Sequence, residues 1–487
     1  MEEYLTPTNL SRRVFVKGVG LVSAALLLGT MGGCEQIAEA IKNRPMRRRL
    51  RTGSPEVDAD IATYRQAVTL MKALPANDPR NWAKQAAIHG TAAAGFNLCQ
   101  HGTEHFFSWH RAYLFYFEKI CQKLTGNPHF GLPYWNWNQN PALNPAFLDT
   151  TSVMYLPRNN TTVAGFGPIT TAELAPIFTD TNFFTFWPQI EGTPHNSVHS
   201  YIGATMGGGG SAMDPIFWTH HCMVDYCWYK WNVDQHNNNP NDPGWNGTAW
   251  DYFVDGDGNT AHMTAGITTI MPLLSYQYEH SNIGLNIKQV VATTKAEFTK
   301  LQDRVKAGAN VKFDIKSRVP IATRTALSIA RPFNATPRVT AGNFTAIIDN
   351  DEAKDKVFVS INYVQLPAES DFFVRVFINL PDANTSTPAE DPHYAGSFAF
   401  FGSTMPERGM AMSNMPAAHH HVPKFLVNIT PTLQRLKKTQ ELNDKSQISV
   451  QLVAVPFMGK FEHPDTQLLL DNVELIVTPV IVNAKEE

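Results

Sequence analysis

The sequence predicts a mainly α-helical domain followed by an all-β sandwich or barrel domain. Segments such as "DADIATYRQAVTLMKAL" and "WHRAYLFYFEKICQKL" place apolar residues at three- and four-residue spacing, which is typical of amphipathic helices. Asp214 and Pro215 mark the start of a further helix as N-cap and first residue. Beyond about Val311 the pattern changes to short β-branched and aromatic runs split by turn residues, among them "DKVFVSINYVQL", "DFFVRVFINL" and "QISVQLVAVP". Because 487 residues exceed one ordinary core, two folded domains are expected.

We divide the chain into four segments on these patterns. Residues 1–34 form an export signal and residues 35–58 a basic linker. Residues 59–310 form the helical domain and residues 311–487 the β-rich domain, which is a candidate lid. A β domain of this length is of ordinary size.

The N-terminal segment has the layout of an export signal. Paired Arg12 and Arg13 precede an apolar run that is too short for a comfortable transmembrane helix, and small residues follow. The pair resembles the bacterial twin-arginine signal, which implies export of a folded protein from a bacterial cytoplasm to the periplasm, the envelope or the medium. Cys34 after two glycines is a candidate lipidation site that would anchor the protein to a membrane; alternatively, it is discarded with the signal.

The net charge and the cysteine content of the chain argue against a nucleic-acid partner and against a disulfide framework. The net charge of −3 argues against nucleic acid as a partner. The chain has five cysteines and no CxxC pair, so no disulfide framework is indicated.

The segment "HNSVHSYIGATMGGGGSAMDPIFWTHHCMVD" contains four histidines at spacings that suit a metal site. His195 and His199 are four residues apart, so on a helix both imidazoles lie on one face. His220 and His221 are adjacent and project about 100° apart on a helix, so only one of them is expected to bind the same ion. Three neutral imidazoles suit copper or zinc.

A second histidine cluster lies upstream. The stretch "NWAKQAAIHGTAAAGFNLCQHGTEHFFSWHRAYLFYFEKI" contains His89, His101, His105 and His110. His105 is four residues from His101, so a rival pairing exists, but histidines at this spacing arise easily by chance.

These segments resemble the two copper-binding motifs of tyrosinases, catechol oxidases and molluscan haemocyanins. The first motif is carried by "IHG", "CQH", "FFSWHRAYL" and "LPYWNWN", and the second by "HNSVH" and "DPIFWTHHCMVD", in the family's order within residues 80–232. The resemblance implies a dinuclear copper centre that uses dioxygen, held in a helix bundle. "DKVFVSIN" and "HYAGSFAFFG" resemble, more loosely, the C-terminal domain of plant-type polyphenol oxidases.

The resemblance assigns a ligand set position by position. The first copper takes His89, His101 and His110, and the second takes His195, His199 and His221. His105 has no place in the family pattern, and His220 falls outside the ligand set. Cys99 stands two residues before His101, where fungal and molluscan members bond the cysteine sulfur to the histidine ring, so the resemblance implies a thioether here. A buried free thiol is the alternative.

Several neighbours of the ligands are candidates for supporting roles. Asp225, four residues after His221, is a candidate orienter of the ligands or else a surface carboxylate. Phe217, four residues before His221, is expected to pack near the coppers. The resemblance associates Glu191 and Asn196 with a water that takes up a phenol proton. Alternatively, Glu191 only caps a helix or forms a salt bridge at its start, where carboxylates are common.

The glycine segment before Asp214 predicts an open substrate entrance. Some family members carry a bulky residue over the copper in this region, whereas this chain has Gly207, Gly208 and Gly209.

The function implied is a copper-dependent polyphenol oxidase that uses dioxygen to convert o-diphenols to o-quinones. Glu191, Asn196 and the glycines favour o-hydroxylation of monophenols as well. The substrate is a small phenol, and the oligomeric state is not determined by the sequence. Catechol oxidation alone, o-aminophenol oxidation and haemocyanin-like oxygen binding remain open, whereas a dinuclear zinc hydrolase is disfavoured because both motifs lack carboxylate ligands.

The β-rich domain raises two further expectations. In this family such a domain often covers the active site and keeps the enzyme latent until it is removed by proteolysis. The loop from Met405 to His421 carries four methionines and three histidines, which would suit copper handling, although a flexible surface loop of biased composition is the preferred interpretation.

Overall fold

A computed structural model of the protein describes residues 44–274, 276–279, 311–351, 353, 355–363, 367, 371–401, 425–477 and 479–483. The predicted export signal with Cys34 and the loop 405–421 lie outside these residues. Among the helices that are described, none has the length and hydropathy needed to cross a bilayer.

The first domain is mainly helical, as the sequence predicts. Its helices are α1 (Pro55–Ala73), α2 (Trp82–His89), α3 (Phe106–Thr125), α4 (Thr171–Phe178), α5 (Phe183–Ile190), α6 (Asn196–Ile202), α7 (Pro215–Tyr229), α8 (Pro243–Gly247), α9 (Ala265–Thr268) and α10 (Met271–Leu274). Its short strands are β1 (Met46–Arg47), β2 (Gly90–Thr91), β3 (Gly95–Phe96), β4 (Ala249–Val254), β5 (Thr260–Thr264) and β6 (Gln277–Tyr278).

Two sequence signals set the geometry of the helices that carry the second histidine motif. A π-helical turn at Glu191–His195 joins α5 to α6, and Pro194 within it removes a backbone donor from the ladder. The Asp214 side chain accepts the Ile216 backbone N–H at 3.0 Å, so the predicted N-cap of α7 is confirmed.

The second domain is a β-sandwich. Its strands are β7 (Val311–Ile315), β8 (Arg318–Ser328), β9 (Phe333–Ala335), β10 (Val357–Tyr363), β11 (Phe372–Ile378), β12 (Tyr394–Ala399), β13 (Phe425–Asn428), β14 (Val450–Pro456), β15 (Gln467–Val477) and β16 (Pro479–Asn483); its helices are α11 (Thr345–Ile348) and α12 (Thr430–Lys438). In the described part, antiparallel strands form two four-stranded sheets, ordered β13-β10-β15-β8 and β12-β11-β14-β9. Aliphatic and phenylalanine side chains of both sheets form one core between them.

The helical domain begins earlier than the sequence predicts. β1 pairs in parallel with β6, and the fully buried Arg47 guanidinium contacts the carboxylates of Glu118 at 3.1 Å and Asp225 at 3.0 Å. Part of the segment predicted to be a basic linker therefore belongs to the helical core. Composition alone did not reveal this, because the carboxylates that pair with Arg47 are distant in the sequence.

Candidate metal centre

The structure brings six of the predicted ligand histidines together in two groups. The first group contains His89, His101 and His110, and in each group the candidate donor atoms lie within 4.8 Å of one another. The second group contains His195, His199, His220 and His221. The groups adjoin, since the rings of His110 and His221 stack with centroids 4.4 Å apart. His105 belongs to neither group and stacks on Trp245 instead.

Hydrogen bonds orient most of these imidazoles through Nδ1. The Nδ1 partners are Gly209 O for His89 (3.2 Å), Glu191 Oε1 for His101 (3.0 Å), Phe106 O for His110 (2.7 Å), Asn196 Oδ1 for His195 (2.9 Å) and Met206 O for His199 (2.8 Å). All five partners are oxygen acceptors, so each Nδ1 carries the proton. A neutral imidazole then keeps a lone pair on Nε2, which is the atom free to bind a metal ion.

The Nε2 atoms are arranged as metal ligands rather than as hydrogen-bond partners. The Nε2 atoms of His89 and His101 lie 3.1 Å apart, although both rings already donate through Nδ1 and have no second proton to share. Among the residues that the structure describes, the buried Nε2 atoms of His110 and His195, like that of His220, have no hydrogen-bond partner. A cation between these lone pairs removes the repulsion and satisfies the orphaned atoms, so the residues present fit two metal ions.

Burial also keeps the imidazoles in the neutral form that binds metals. Burial lowers the pKa of His89 to about 4 and the pKa of His195 to about 3. It holds the pKa values of His101, His110, His199 and His221 well below their usual range, and neighbouring histidines add to the effect.

His220 differs from His221 in its hydrogen bonding. The Trp137 indole N–H donates to His220 Nδ1 at 2.9 Å, so the neutral ring carries its proton on Nε2 and offers no free lone pair. His221 Nε2 faces His199 Nε2 at 3.2 Å. The spacing of these adjacent residues could not separate them, and only the family resemblance did, because the contact with Trp137 spans 83 positions.

Glu191 and Asn196 lie at the centre, where the Asn196 backbone N–H donates to the Glu191 carbonyl while the two side chains have different partners. Glu191 accepts hydrogen bonds from His101 Nδ1 at 3.0 Å and from the Gly102 backbone N–H at 2.9 Å. Burial raises the pKa of Glu191 to about 8. Asn196 instead accepts from His195 and donates to the Ala399 carbonyl at 3.0 Å. Each residue therefore supports a histidine of a different group.

Cys99 is buried and belongs to the free cysteines of the described part of the chain. Phe217 lies where the sequence predicts it, with its ring centroid 4.2 Å from that of His221 and 4.8 Å from that of His89.

Asp225 does not orient a ligand directly, which corrects its interpretation from the sequence. Its carboxylate pairs with Arg47 and Arg111 and accepts the hydroxyl groups of Tyr276 at 2.7 Å and Tyr278 at 2.6 Å. Although burial opposes ionisation, the two arginines and the two tyrosine hydroxyls lower the pKa of Asp225. Because Arg111 follows His110 on α3 and Asp225 lies on α7, this network fixes the two helices against each other.

Within the glycine segment before Asp214, Gly209 packs closely against the backbone beside the histidines and does not line an open entrance. Gly209 is buried, and a Cβ there would lie 2.3 Å from the Gly95 carbonyl carbon. Its own carbonyl accepts from His89. The entrance prediction is therefore wrong for Gly209, whose role is close backbone packing. Gly207 and Gly208 are half-buried, and a Cβ at either would meet nothing within 4 Å.

The feature that sequence reasoning missed is Phe401, which follows β12 of the sandwich. Its ring stacks on His199 at a centroid distance of 3.9 Å and an interplanar angle of 20°. Its centroid is also 5.4 Å from those of His101 and His195. An aromatic ring from the second domain thus covers both histidine groups. The only available signal was the resemblance of "HYAGSFAFFG" to a covering domain, which does not single out one residue.

Polar contacts fasten β12 to the helical domain beside this ring. The buried carboxylate of Glu173 on α4 accepts from the Ser397 backbone N–H and hydroxyl, both at 2.8 Å, and from the Tyr394 hydroxyl. Aromatic packing extends the interface, with Phe457 of the sandwich 5.4 Å from Phe166 and 5.6 Å from Tyr201. The covering ring is therefore held by a specific interface.

Known proteins are similar in sequence to the part of the chain that carries the two histidine groups. A family model named Tyrosinase, described as the common central domain of tyrosinase, matches residues 79–183 and 168–234. The tyrosinase HcTyr1 of Hahella sp. (strain CCB-MM4) is 31% identical over 284 residues, which cover 45% of this chain and 61% of that protein. Polyphenol oxidase A1 of Vicia faba is 30% identical over 249 residues, covering 39% of this chain and 40% of the relative. The matches span less than two thirds of either relative.

Solved structures share the two-domain fold. A latent aurone synthase, a polyphenol oxidase, superposes with a TM-score of 0.61 at 20% identity over 90% of each chain. Latent apple tyrosinase gives 0.60 at 19% identity over 89% of this chain and 97% of that chain. A functional unit of Octopus hemocyanin gives 0.52 at 17% identity over 90% and 100%. The predicted order of a helical domain followed by a β domain is confirmed, and the segment that matches the common central domain of tyrosinase carries two histidine groups that suit two copper ions.

Proposed function

We propose that this chain is a copper-dependent polyphenol oxidase that uses dioxygen to oxidise o-diphenols to o-quinones, also hydroxylates monophenols, and is kept latent by its second domain. The observation that carries this proposal is the convergence of neutral imidazoles in two adjoining groups, whose Nε2 atoms face one another or have no hydrogen-bond partner among the described residues. The names of the tyrosinase and polyphenol oxidase relatives favour the same chemistry.

The proposed ligands are those that the sequence suggests. They are His89, His101 and His110 for one copper ion and His195, His199 and His221 for the other. His220 is excluded from the set because its Nδ1 accepts from Trp137 and its proton occupies Nε2.

When bound, the two copper ions supply the electron transfer between phenol and dioxygen. The residues of the chain supply orientation. Backbone carbonyls of Met206, Gly209 and Phe106 fix three imidazoles. The Asp225 network fixes α3 and α7, which carry His110 and His221. Phe217 packs against a ring of each group and excludes water from that side.

Monophenol hydroxylation requires a group that receives the phenol proton. Glu191 and Asn196 are proposed to hold a water molecule that takes up this proton, because each is buried beside a histidine of the centre. Loss of monophenol turnover with retained catechol turnover in Asn196→Ala protein supports this assignment, and equal losses on both substrates contradict it.

Latency is supported by Phe401, whose ring occupies the space over both histidine groups. The decisive experiment measures oxygen uptake by full-length, copper-loaded protein with 4-methylphenol and then with 4-methylcatechol. We expect the wild-type chain to be slow and the Phe401→Gly variant to be fast on catechol. Phe461→Gly is the matched control, since it removes a phenyl ring that packs against the sandwich core.

The second candidate is a haemocyanin-like oxygen-binding protein. The covered centre favours it in one respect, because the ring of Phe401 stacks on His199 at a centroid distance of 3.9 Å, where the ring of a phenol would have to displace it. Reversible oxygen binding by copper-loaded Phe401→Gly protein, with no turnover of catechol or o-aminophenol, establishes the carrier and rejects the oxidase. Faster turnover of o-aminophenol than of catechol identifies an aminophenol oxidase.

A thioether between Cys99 and His101 is proposed from the resemblance of these two positions to the fungal and molluscan pattern. Peptide mass spectrometry of copper-loaded protein tests it: the linked peptide is lighter by two hydrogen atoms, and Cys99→Ser protein loses this signature.

Export and anchoring are proposed from the paired arginines and Cys34. Substitution of both arginines by lysine is expected to retain the protein in the cytoplasm, and Cys34→Ser is expected to release it from the membrane fraction. An unchanged distribution contradicts the corresponding proposal.

A further inference from the structure

We propose that Trp137 is a positioning residue that keeps the second copper ion at three histidine ligands, because it holds the fourth histidine of that group, His220, out of coordination. This inference rests on the copper centre of the function proposed above. It adds a residue that sets the coordination number of one ion and so preserves an open position on it.

The second group contains one histidine more than the first. Candidate donor atoms of all four histidines lie within 4.8 Å of one another, so the distances alone would allow a four-histidine site. His220 is fully buried, and its ring centroid lies 4.6 Å from that of His199. A property other than distance must therefore exclude His220 from the ligand set.

That property is the lone pair of His220, which Trp137 occupies. A neutral imidazole has a single nitrogen lone pair in the plane of its ring, and a metal ion needs that lone pair. In His220 it lies on Nδ1 and accepts the indole N–H of Trp137 at 2.9 Å. Nε2 then carries the proton and has no hydrogen-bond partner among the described residues. If His220 bound copper, the buried indole N–H would lose its acceptor, which costs free energy.

The main chain holds the indole beside His220. The Trp135 backbone N–H donates at 3.0 Å to the carbonyl of Thr219, the residue directly before His220 on α7. Trp137 follows two positions later and is fully buried. Its place next to His220 is therefore fixed by the fold of the helical domain and does not depend on a bound ion.

Three and four ligands have different consequences for a copper ion that must react with dioxygen. Catalytic metal sites keep a position open for an external molecule, and a fourth imidazole would fill it. Four nitrogen ligands also suit the tetragonal geometry of Cu(II), so they would oppose reduction to Cu(I). In the described part of the chain the first group contains only three histidines, so the second group alone requires a residue that excludes one.

The test counts the imidazoles bound to a single Cu(II) ion in the second group by pulsed electron paramagnetic resonance. The full-length chain carries His89→Ala, which deletes a ligand of the first group, so the remaining ion has no magnetically coupled neighbour. We expect three bound imidazoles when Trp137 is present and four after Trp137→Phe. Adding His220→Ala to Trp137→Phe should return the count to three.

Trp135→Phe is the matched control. Trp135 is also buried, and its indole N–H donates to the Asn140 carbonyl at 2.8 Å. The substitution removes the same part of a side chain and the same kind of donor, but it leaves the lone pair of His220 occupied. The count should stay at three. Four imidazoles in this variant would show that loosened packing admits the fourth ligand, which overturns the role of the bond from Trp137.

A second readout compares single and double substitutions in the Phe401→Gly background. Trp137→Phe should slow oxygen uptake with 4-methylcatechol, because the fourth imidazole fills the open position. Adding His220→Ala should raise the rate again, to that of His220→Ala without the tryptophan substitution. If Trp137 only stabilised the fold, the second substitution would lower the rate further, and that result contradicts the inference.

A measurement on the unsubstituted chain applies if Trp137→Phe protein does not fold. Nitrogen-15 NMR of labelled histidines in Cu(I)-loaded protein, kept free of dioxygen, reports which nitrogen carries the proton and which binds metal. We expect His220 to be protonated at Nε2 and bound to copper at neither nitrogen, with its signals assigned by their loss in His220→Ala protein. A copper-bound nitrogen in His220 overturns the inference.

The outcomes separate this inference from the function on which it rests. Three imidazoles in the Trp137→Phe chain overturn the role of Trp137 and leave the copper oxidase intact. Four imidazoles with Trp137 present make His220 a ligand and also overturn it. Metal analysis that finds no copper in the unsubstituted, copper-treated chain rejects the copper-dependent function itself.

Discussion

The two histidine groups are built on different kinds of backbone. In the second group, His195 and His199 lie on one continuous helical run, His221 lies on α7, and all three are buried. In the first group, His89 ends α2 and His110 lies on α3, whereas His101 lies in the segment between them and keeps 13% of its side chain exposed.

This difference teaches how each group is held. Helix geometry alone aligns most of the second group, so its ligand positions follow from sequence spacing. The first group depends on a tertiary contact, because His101 is fixed by Glu191 from the segment that carries the second group. Damage to the second group should therefore act on the ligands themselves, and damage to the first should act through their supports.

The largest effect is expected from substitution within the adjacent pair of the second group, His220 and His221. His221→Ala should remove one of the two copper ions and abolish oxygen uptake, because it deletes a ligand. His220→Ala should keep both ions and lose roughly tenfold or less in activity, since the ring only supports the centre. Metal analysis and oxygen electrodes provide the measurements. The reverse pattern in the two variants would exchange the roles of these residues.

The next effect breaks the connection between the groups. Asp225→Ala leaves Arg111 buried without its carboxylate and Arg47 with Glu118 alone, and should destabilise the fold by about 3–5 kcal/mol. Urea unfolding of copper-free protein measures the loss. The exposed pair of Lys123 and Asp257 is the control, and Asp257→Ala there should cost about 1 kcal/mol or less. Similar losses in both variants would mean that the network does not join the helices.

A smaller effect sharpens the contrast between loop and helix. Glu191→Ala removes the partner of His101, and Asn196→Ala removes the partner of His195. Loss of such partners typically lowers metal affinity by about 10–100-fold. We expect Glu191→Ala at the upper end of this range, since no helix holds His101, and Asn196→Ala at the lower end. Copper competition titrations measure the affinity of each variant, and a larger loss of affinity in Asn196→Ala protein contradicts the comparison.

The smallest effect concerns the covering domain, which is fastened beside the second group by Glu173. Burial raises the pKa of Glu173 above its ordinary value of 4.5, against the hydrogen bonds from Tyr394 and Ser397 and the charge of Arg375. Its contribution to stability is therefore complete below pH 4.5 and declines as the pH rises through the higher value in the folded chain.

The measurement compares thermal unfolding of wild-type and Glu173→Gln protein across pH. We expect the wild-type chain to lose stability relative to the variant as the pH rises above 4.5. Parallel curves for the two proteins would show that Glu173 does not titrate in this range.

The sequence by itself determined the order of the two domains, the two histidine motifs and the N-cap of α7. These features are local, because helix periodicity, strand alternation and capping each involve residues within a few positions of one another. It also placed Phe217 next to His221, since a spacing of four residues shares a helix face.

Only the tertiary structure decided how the centre is completed and covered. The bond from Trp137 to His220 spans 83 positions, the contact of Glu191 with His101 spans 90, and the bond from Asn196 to Ala399 spans 203. In the structure, Asp225 lies at the centre of an ion network and does not orient a ligand directly. Gly209 allows close backbone packing, and the ring of Phe401 lies over the histidines. Such contacts depend on how distant segments pack, and packing leaves no periodic trace in the sequence.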